Sequence, residues 1–499
     1  MDKFLSFVER VGNRLPHPFF LFVSLSLIVI LVTAIMSGLE MSAINPKTGA
    51  EVAIKSLLST AGIQFIFTSM VDNFVKFPPL GIIIVAMFGI GLADKVGLLP
   101  VLIQGSVSKV PKPFLTFTVF VVGITGSIAS DANYIILIPL VAMIYHSLGR
   151  HPIAGAAAAY GAAGAGFDVS LLITTSDALF SGLTTEAARL IDPNFYVSPL
   201  DNYYFAVVSV IVLAILGTFI VDKVIEPRLQ RTLAVDADVK VEPPHQLSDL
   251  EKKGLKNTLW AAIIFVGLLL ILILPSTSPL RNPQGGLVPS PFLKAFVPIL
   301  FGFFMTVGIT YGKTVGKIKK LADIPAFMVD AVKELATTLV LFFVIAQFIA
   351  YFNWSSLGQY IAIQGSIFLE HTQLTGYAMM VVFVVMSAIM NIFMTSGSAQ
   401  WSLMAPIFVP MLMLVDYHPA FTLAMYKIGD STTNIISPMS PYFSVCLVYM
   451  QRYKKDLGIG SLMSIMLPIS ISFLVVWLVL LLVWVAAGWP LGPGVYPNL

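Results

Sequence analysis

The chain has 499 residues, 57% hydrophobic and only 11% charged, with a formal net charge of +3 and a mean hydropathy of +0.89. Soluble domains are about a quarter charged, so an ordinary soluble fold is excluded, and a β-barrel would need short alternating strands that the sequence lacks. The small net charge marks no nucleic-acid partner, and a single cysteine, Cys446, excludes an intrachain disulfide and a cysteine metal cluster.

Lys and Arg collect on the cytoplasmic side of short membrane loops. Four basic clusters are assigned there: Lys3, Arg10 and Arg14; residues 223–256; Lys313 to Lys320; and Arg452 to Lys455. From a cytoplasmic N-terminus, residues 18–38 lead out, 39–58 form an external loop, an amphipathic segment reaches Phe77, and 79–104 return. Residues 113–148 are apolar, interrupted at 126–133 and flanked by basic residues at both ends, the pattern of a re-entrant hairpin entered from the cytoplasm. Residues 152–182 lead out and 203–225 return. Span 258–274 leads out, 293–311 return and 334–352 lead out again. Residues 376–415 form a second interrupted run without Lys or Arg on its flanks, a hairpin opening outside. Residues 420–448 return and 462–486 lead out, which leaves the C-terminus external.

This parity places every basic cluster inside and predicts an all-α polytopic membrane protein with nine spans and two re-entrant hairpins. Residues 1–225 form one half, 226–292 a solvated connector with a linker helix, 293–488 the second half and 489–499 a short tail.

The halves share a motif at an ungapped offset of 267 residues. Residues 130–139 read SDANYIILIP and residues 397–406 read GSAQWSLMAP, pairing Asn133 with Gln400, Tyr134 with Trp401 and Pro139 with Pro406. His151-Pro152 falls on His418-Pro419, and each starts an apolar helix broken by small and polar residues. Duplicated broken segments in a membrane protein point to a transport site, where half-helix N-termini face anionic groups and freed carbonyls suit a small cation. With hairpins on opposite faces, the repeat is inverted. The tips and breaks supply Ser130, Asp131, Asn133, Gly166, Asp168, Gln400, Thr433 and Asn434 as ion-coupling candidates, with sodium placed near Asn133 and Asn434.

Asp177 is an ionisable residue in a span, where charge is costly and therefore a functional candidate. Lys427 and Asp430 are three apart on a broken helix and could pair on one face. Trp401 at a hairpin tip is either a packing anchor or a wall for a ring-bearing substrate. Asp94 and Lys95 read as a local ion pair.

The motifs SDANYIILIPL, SGSAQWSLMAPIFVPM and YKIGDSTTNIISPMSPYF, with the run at 166–179, resemble the AbgT (p-aminobenzoyl-glutamate transporter) family over nearly the whole chain. The resemblance implies nine spans, two hairpins, an inverted repeat and a homodimer in the bacterial inner membrane. It implies substrate contacts at Asp177, Ser398, Trp401, Pro419, Lys427 and Asp430. The chain departs from the pattern at Lys427, where Arg is usual, and at GFDVS (residues 166–170), where GFSAN is usual.

The resulting expectation is a secondary active transporter, not an enzyme, without a cofactor and coupled to protons or sodium. Its substrates would be p-aminobenzoyl-glutamate, p-aminobenzoate or sulfonamide-like antimetabolites, with Lys427 and the helix ends on the carboxylate and Trp401 on the ring. Asp177 and Asp430 would couple protons or help to hold sodium. A sodium-coupled dicarboxylate transporter is the alternative and an ion channel a more distant one.

Overall fold

A computed structural model describes residues 17–46, 48–107, 110–129, 131–233, 235–236, 247–287, 290–372 and 376–499. The basic residues of the N-terminus lie outside them. The protein is an all-α polytopic membrane protein; among the described residues ten helices are long and apolar enough to cross a bilayer, three of them arms of the hairpins. Strand is confined to a small antiparallel pair, β1 (Ser42–Ile44) and β2 (Glu51–Ala53).

In the first half, α1 (Pro18–Gly38) precedes α2 (Thr60–Val75) and α3 (Pro78–Lys95). The 79–104 stretch is not one span: α3 ends at Lys95, Gly97 takes a φ of +89°, and α4 (Leu98–Val107) starts in a new direction. Glycine alone adopts that backbone without strain. The hairpin is α5 (Leu115–Thr125) and α6 (Asp131–Ser147), followed by a broken helix, α7 (Pro152–Ala165) and α8 (Thr175–Ala188), and then α9 (Tyr203–Ile220). Beyond α9 the chain stays helical through a π-turn at Val221–Ile225 into α10 (Glu226–Thr232).

The linker helix α11 (Asp249–Ile273) starts on a capping box between Ser248 and Glu251. In the second half come α12 (Phe296–Thr314), α13 (Asp323–Glu334), α14 (Ala336–Trp354) and α15 (Leu357–His371). The amphipathic helices α13 and α15 go beyond the sequence expectation. The second hairpin is α16 (Gly376–Phe393) and α17 (Gly397–Leu414), the second broken helix α18 (Pro419–Thr433) and α19 (Pro441–Gln451), and the last span α20 (Ile459–Ala486).

The element order of α1–α9 thus recurs in α12–α20. Counting α1 itself, five passes precede α12, and that odd number is the parity an inverted repeat requires. The units cross-pack: Phe22 of α1 meets Phe348 of α14 edge-on at 5.6 Å, and Gly89 of α3 lies against the backbone of Phe301 in α12. The second piece of each broken helix packs on the other unit's hairpin, α8 on α17 and α19 on α6. All 14 residues of α7 are buried. Its Ala and Gly composition lets neighbouring helices approach closely, as small residues do in membranes.

The connector is not simply solvated, because Glu226 is buried. Arg150, at the end of the first hairpin, reaches Asp222 of the π-turn at 2.6 Å, pairs with Glu226 and donates to Thr116 of α5 at 3.0 Å. Its guanidinium also lies 4.0 Å from the Tyr145 ring centroid, and Glu226 accepts from the backbone N–H of His151 at 3.1 Å. This cluster ties the hairpin base to the span that follows. Likewise Lys95 pairs chiefly with Glu334 of α13, and Asp94 is a distant partner at 3.9 Å.

Removing one member of a buried ion pair leaves the other charge uncompensated, at about 3–5 kcal/mol. Arg150→Met is therefore expected to lower the unfolding midpoint in detergent markedly, and Glu226→Gln added to it to restore part of the loss. Thermal melts of the single and double variants check this.

Candidate functional site

Each hairpin is closed by an amide on its second arm. Asn133 Nδ2 donates to the Gly123 carbonyl at 2.8 Å, and Gln400 Nε2 donates to the Ser387 carbonyl at 2.9 Å. The matched positions of the repeat thus do the same work. At the first tip, Asn133 Oδ1, Ser127 Oγ and Thr125 Oγ1 are buried oxygens without a hydrogen-bond partner. That oxygen-rich turn fits a small monovalent cation. The Asn434 side differs, because its Oδ1 already accepts from Asn391 Nδ2 at 3.0 Å.

The two helix breaks meet. Ser431 Oγ accepts from the Asp168 N–H at 3.1 Å, and Gly164 lies so close to Ile435 that a Cβ would fall 2.5 Å from its side chain. At the first break Asp177 forms a capping box with Thr174: Asp177 Oδ2 accepts from the Thr174 N–H at 2.9 Å, and Thr174 Oγ1 accepts from the Asp177 N–H at 3.2 Å. The other oxygen, Oδ1, is 2.5 Å from Lys427 Nζ. Lys427 therefore pairs with Asp177 across the repeat rather than with Asp430 along its own helix. At the second break Asn391 of α16 donates to the Asp430 carbonyl and to Thr433 Oγ1, and Thr433 donates to the Ala388 carbonyl at 3.0 Å.

Asp430 Oδ1 accepts from the Tyr426 hydroxyl at 3.0 Å; that hydroxyl also lies 2.7 Å from the Gly397 carbonyl. A Cβ on Gly397 would stand 2.9 Å from Asp430 Oδ2, so the second hairpin tip needs glycine there. Gly166 closes α7 in the same way, with Ile124 filling the space a side chain would take.

Between tips and breaks lies a cavity of about 320 Å³. Three helix N-termini open on it: Ser176 of α8, Ser396 to Ser398 at the start of α17, and Ser440 to Tyr442 at the start of α19. At α17 no side chain caps the first turn, so its N–H groups face the cavity, whereas α19 opens with Pro441, which has no N–H, and its Phe443 N–H already donates to the Ser440 carbonyl at 3.1 Å. The opposing wall is aromatic: Tyr134 stacks on Tyr442 at 4.0 Å and 3°, beside Tyr160, Phe167 and Phe180. Ser398 also borders a second cavity of about 680 Å³, which includes Ala129 and Ala132 of the first hairpin. Both tips therefore reach one polar region.

A model of the AbgT putative transporter family matches residues 3–499. The chain belongs to the AbgT family. It is 41% identical over 498 residues to the p-aminobenzoyl-glutamate transport protein of Escherichia coli K12, covering 100% of this chain and 97% of that one. It superposes on the YdaH transporter of Alcanivorax borkumensis with a TM-score of 0.91 and 39% identity, covering 96% of this chain and all of that one. On MtrF of Neisseria gonorrhoeae, described within a class of antimetabolite efflux pumps, the TM-score is 0.92 at 39% identity, over 99% of this chain and all of that one.

Of the residues the AbgT resemblance singles out, Ser398 and Asp430 line the smaller cavity, and Asp177 and Lys427 form an ion pair beside it. Trp401 does not reach the cavity. It is fully buried, stacked on Tyr426 at 4.5 Å, and its Nε1–H donates to Thr184 Oγ1 at 3.0 Å. It fastens the second hairpin to both broken helices, and the ring wall is built by the tyrosines and phenylalanines instead. Pro419 starts α18, eleven residues and roughly 16 Å along the helix from Asp430; its fixed φ suits that first position. Ser130 and the side chain of Asp131 lie outside the described residues. Asn391, Tyr426, Tyr134, Tyr160 and Tyr442 escaped the sequence expectation; an Asn inside the apolar run of α16 was the available signal.

Trp401→Phe keeps the stacking and removes one hydrogen bond, a loss of about 1 kcal/mol. A small fall in the melting midpoint with substrate affinity unchanged is the expected result. A large affinity loss at unchanged stability would instead place the indole on the substrate.

Proposed function

We propose that this AbgT-family chain is an ion-driven secondary transporter of small aromatic carboxylates, working by alternating access. The observation that carries the reading is the cavity in which the uncapped N-terminus of α17 meets a cluster of aromatic rings. Backbone N–H groups and the positive helix ends favour carboxylates, and offset or edge-on rings favour an aromatic body. A p-aminobenzoyl-glutamate, with one ring and two carboxylates, has this distribution of charge, and p-aminobenzoate and sulfonamides share its ring. A purely aliphatic dicarboxylate would leave the aromatic wall unused.

Lys427, neutralised by Asp177, acts in this reading as a lock between the broken helices. A carboxylate arriving at the α17 N-terminus would compete for the ammonium and loosen that lock. The oxygens around Asn133 and the acids at the breaks are the groups available to hold a driving ion. We place the chain in a bacterial inner membrane as a homodimer with a cytoplasmic N-terminus, supported by the distribution of Lys and Arg and by the family membership.

Proteoliposomes loaded with labelled p-aminobenzoyl-glutamate or p-aminobenzoate test the proposal, with pH and sodium gradients imposed separately. Gradient-dependent flux of at least one compound is expected. Tyr442→Leu should raise KM about tenfold, equivalent to ~1.4 kcal/mol of lost ring contact, with little change in kcat. Succinate transported as well as the aromatic compounds would argue for the dicarboxylate alternative.

A further inference from the structure

The Asp168 carboxylate is only 3% exposed, and neither of its oxygens has a hydrogen-bond donor. Its own N–H is held by Ser431, which fixes the residue at the crossing of the two breaks. The group within hydrogen-bonding reach of it is the Asp430 carboxylate, itself 1% exposed. Two ionised carboxylates are both acceptors, so that contact is repulsive until one of them carries a proton.

The surrounding charges do not relieve it. From α18, Lys427 is within Coulombic reach of Asp168, but its ammonium is committed to Asp177 of α8 at 2.5 Å. The single Tyr426 hydroxyl proton is shared between the Gly397 carbonyl at 2.7 Å and Asp430 Oδ1 at 3.0 Å, so it does not neutralise the pair. From the second hairpin, Asn391 donates to the backbone carbonyl of Asp430 and not to its carboxylate. With every acid ionised, three carboxylates would share one ammonium in a buried site, at a cost of several kcal/mol per unpaired ion. One proton turns the Asp168–Asp430 contact into a hydrogen bond and lowers the net charge of the group from −2 to −1. Carboxyl pairs that share a proton arise from this constraint.

We infer that Asp168 and Asp430 form a carboxylate pair that takes up one proton, and that this pair is the proton site of the transport cycle. The proton is shared between the two carboxyl groups, with the Tyr426 hydroxyl 3.0 Å from Asp430 Oδ1. Release leaves two facing anions and is favoured only when the crossing of the breaks opens. That couples the proton to the helix movement that admits substrate. The inference rests on the transporter reading for its role in the cycle, but the shared proton itself does not require a substrate.

Infrared difference spectra of the purified protein, taken across a pH titration without substrate, read the pair directly. The wild type should show one protonated-carboxyl band that exchanges in deuterium oxide, and Asp168→Asn should lack it. The amide supplies a permanent donor to Asp430, so this variant keeps the contact and folds; Asp168→Ser, the residue of the related pattern, serves as a second variant. In proteoliposomes, stimulation of flux by a pH gradient should fall from several-fold to none in both variants. A wild-type band that persists in Asp168→Asn and Asp168→Ser would overturn the assignment. So would a wild type without the band whose sodium dependence disappears in the variants, since the pair would then hold a cation. Failure of wild-type flux with a normal infrared band would count against the substrate reading alone.

Discussion

Within hydrocarbon every backbone N–H and C=O must find a partner, and this rule shapes the centre of the molecule. Two hairpins and two broken helices leave several helix ends at depth. Their groups are satisfied by one another and by a few side chains: Asn133 and Gln400 across the hairpins, Thr174 and Asp177 at the α8 N-terminus, and Asn391 at the second break. The end without such a cap, at α17, opens on the aromatic cavity. Ligand binding and backbone satisfaction are thus one problem, because a bound carboxylate completes the donors that the protein leaves open.

The two units solve this problem with the same parts but unequal chemistry. Asn133 and its repeat partner Gln400 both leave the amide oxygen without a donor, but the second side adds Asn391, whose amide donates to three acceptors. Tyr134 and Trp401 occupy matched positions, yet Tyr134 faces the cavity and Trp401 is buried against Thr184 and Tyr426. An inverted repeat with two identical sites would bind its ligand equally in both halves. Divergence of this kind puts a cavity-lining ring on one tip and a buried fastening ring on the other.

The backbone plan was largely legible in the sequence, because it rests on long-range signals. Hydrophobic length gave the spans, and the 267-residue offset gave the recurring order of elements. Local deviations were less visible. Gly97 breaks α3 from α4 within an unremarkable apolar run, and the amphipathic α13 and α15 are too polar to register as spans. At the site, the residues were found but several pairings were not. Lys427 and Asp430 share a helix face by spacing, yet Lys427 reaches across the repeat to Asp177, a contact 250 residues distant that no local pattern encodes. Glu226 read as a surface charge of a linker because its partner, Arg150, lies 76 residues away.

The charges at the crossing of the breaks also explain why this region can act as a moving part. Lys427 joins α18 to α8, Ser431 joins α18 to the loop carrying Asp168, and Tyr426 joins α18 to the tip of the second hairpin. All three contacts leave from one turn and a half of a single helix, toward three separate elements. One is an ion pair and two are neutral hydrogen bonds, and the framework around them combines apolar packing with the Arg150 cluster at the base of the first hairpin. Under the proposed transporter reading, a few polar contacts that converge on one helix are the ones that a change between two discrete arrangements would exchange.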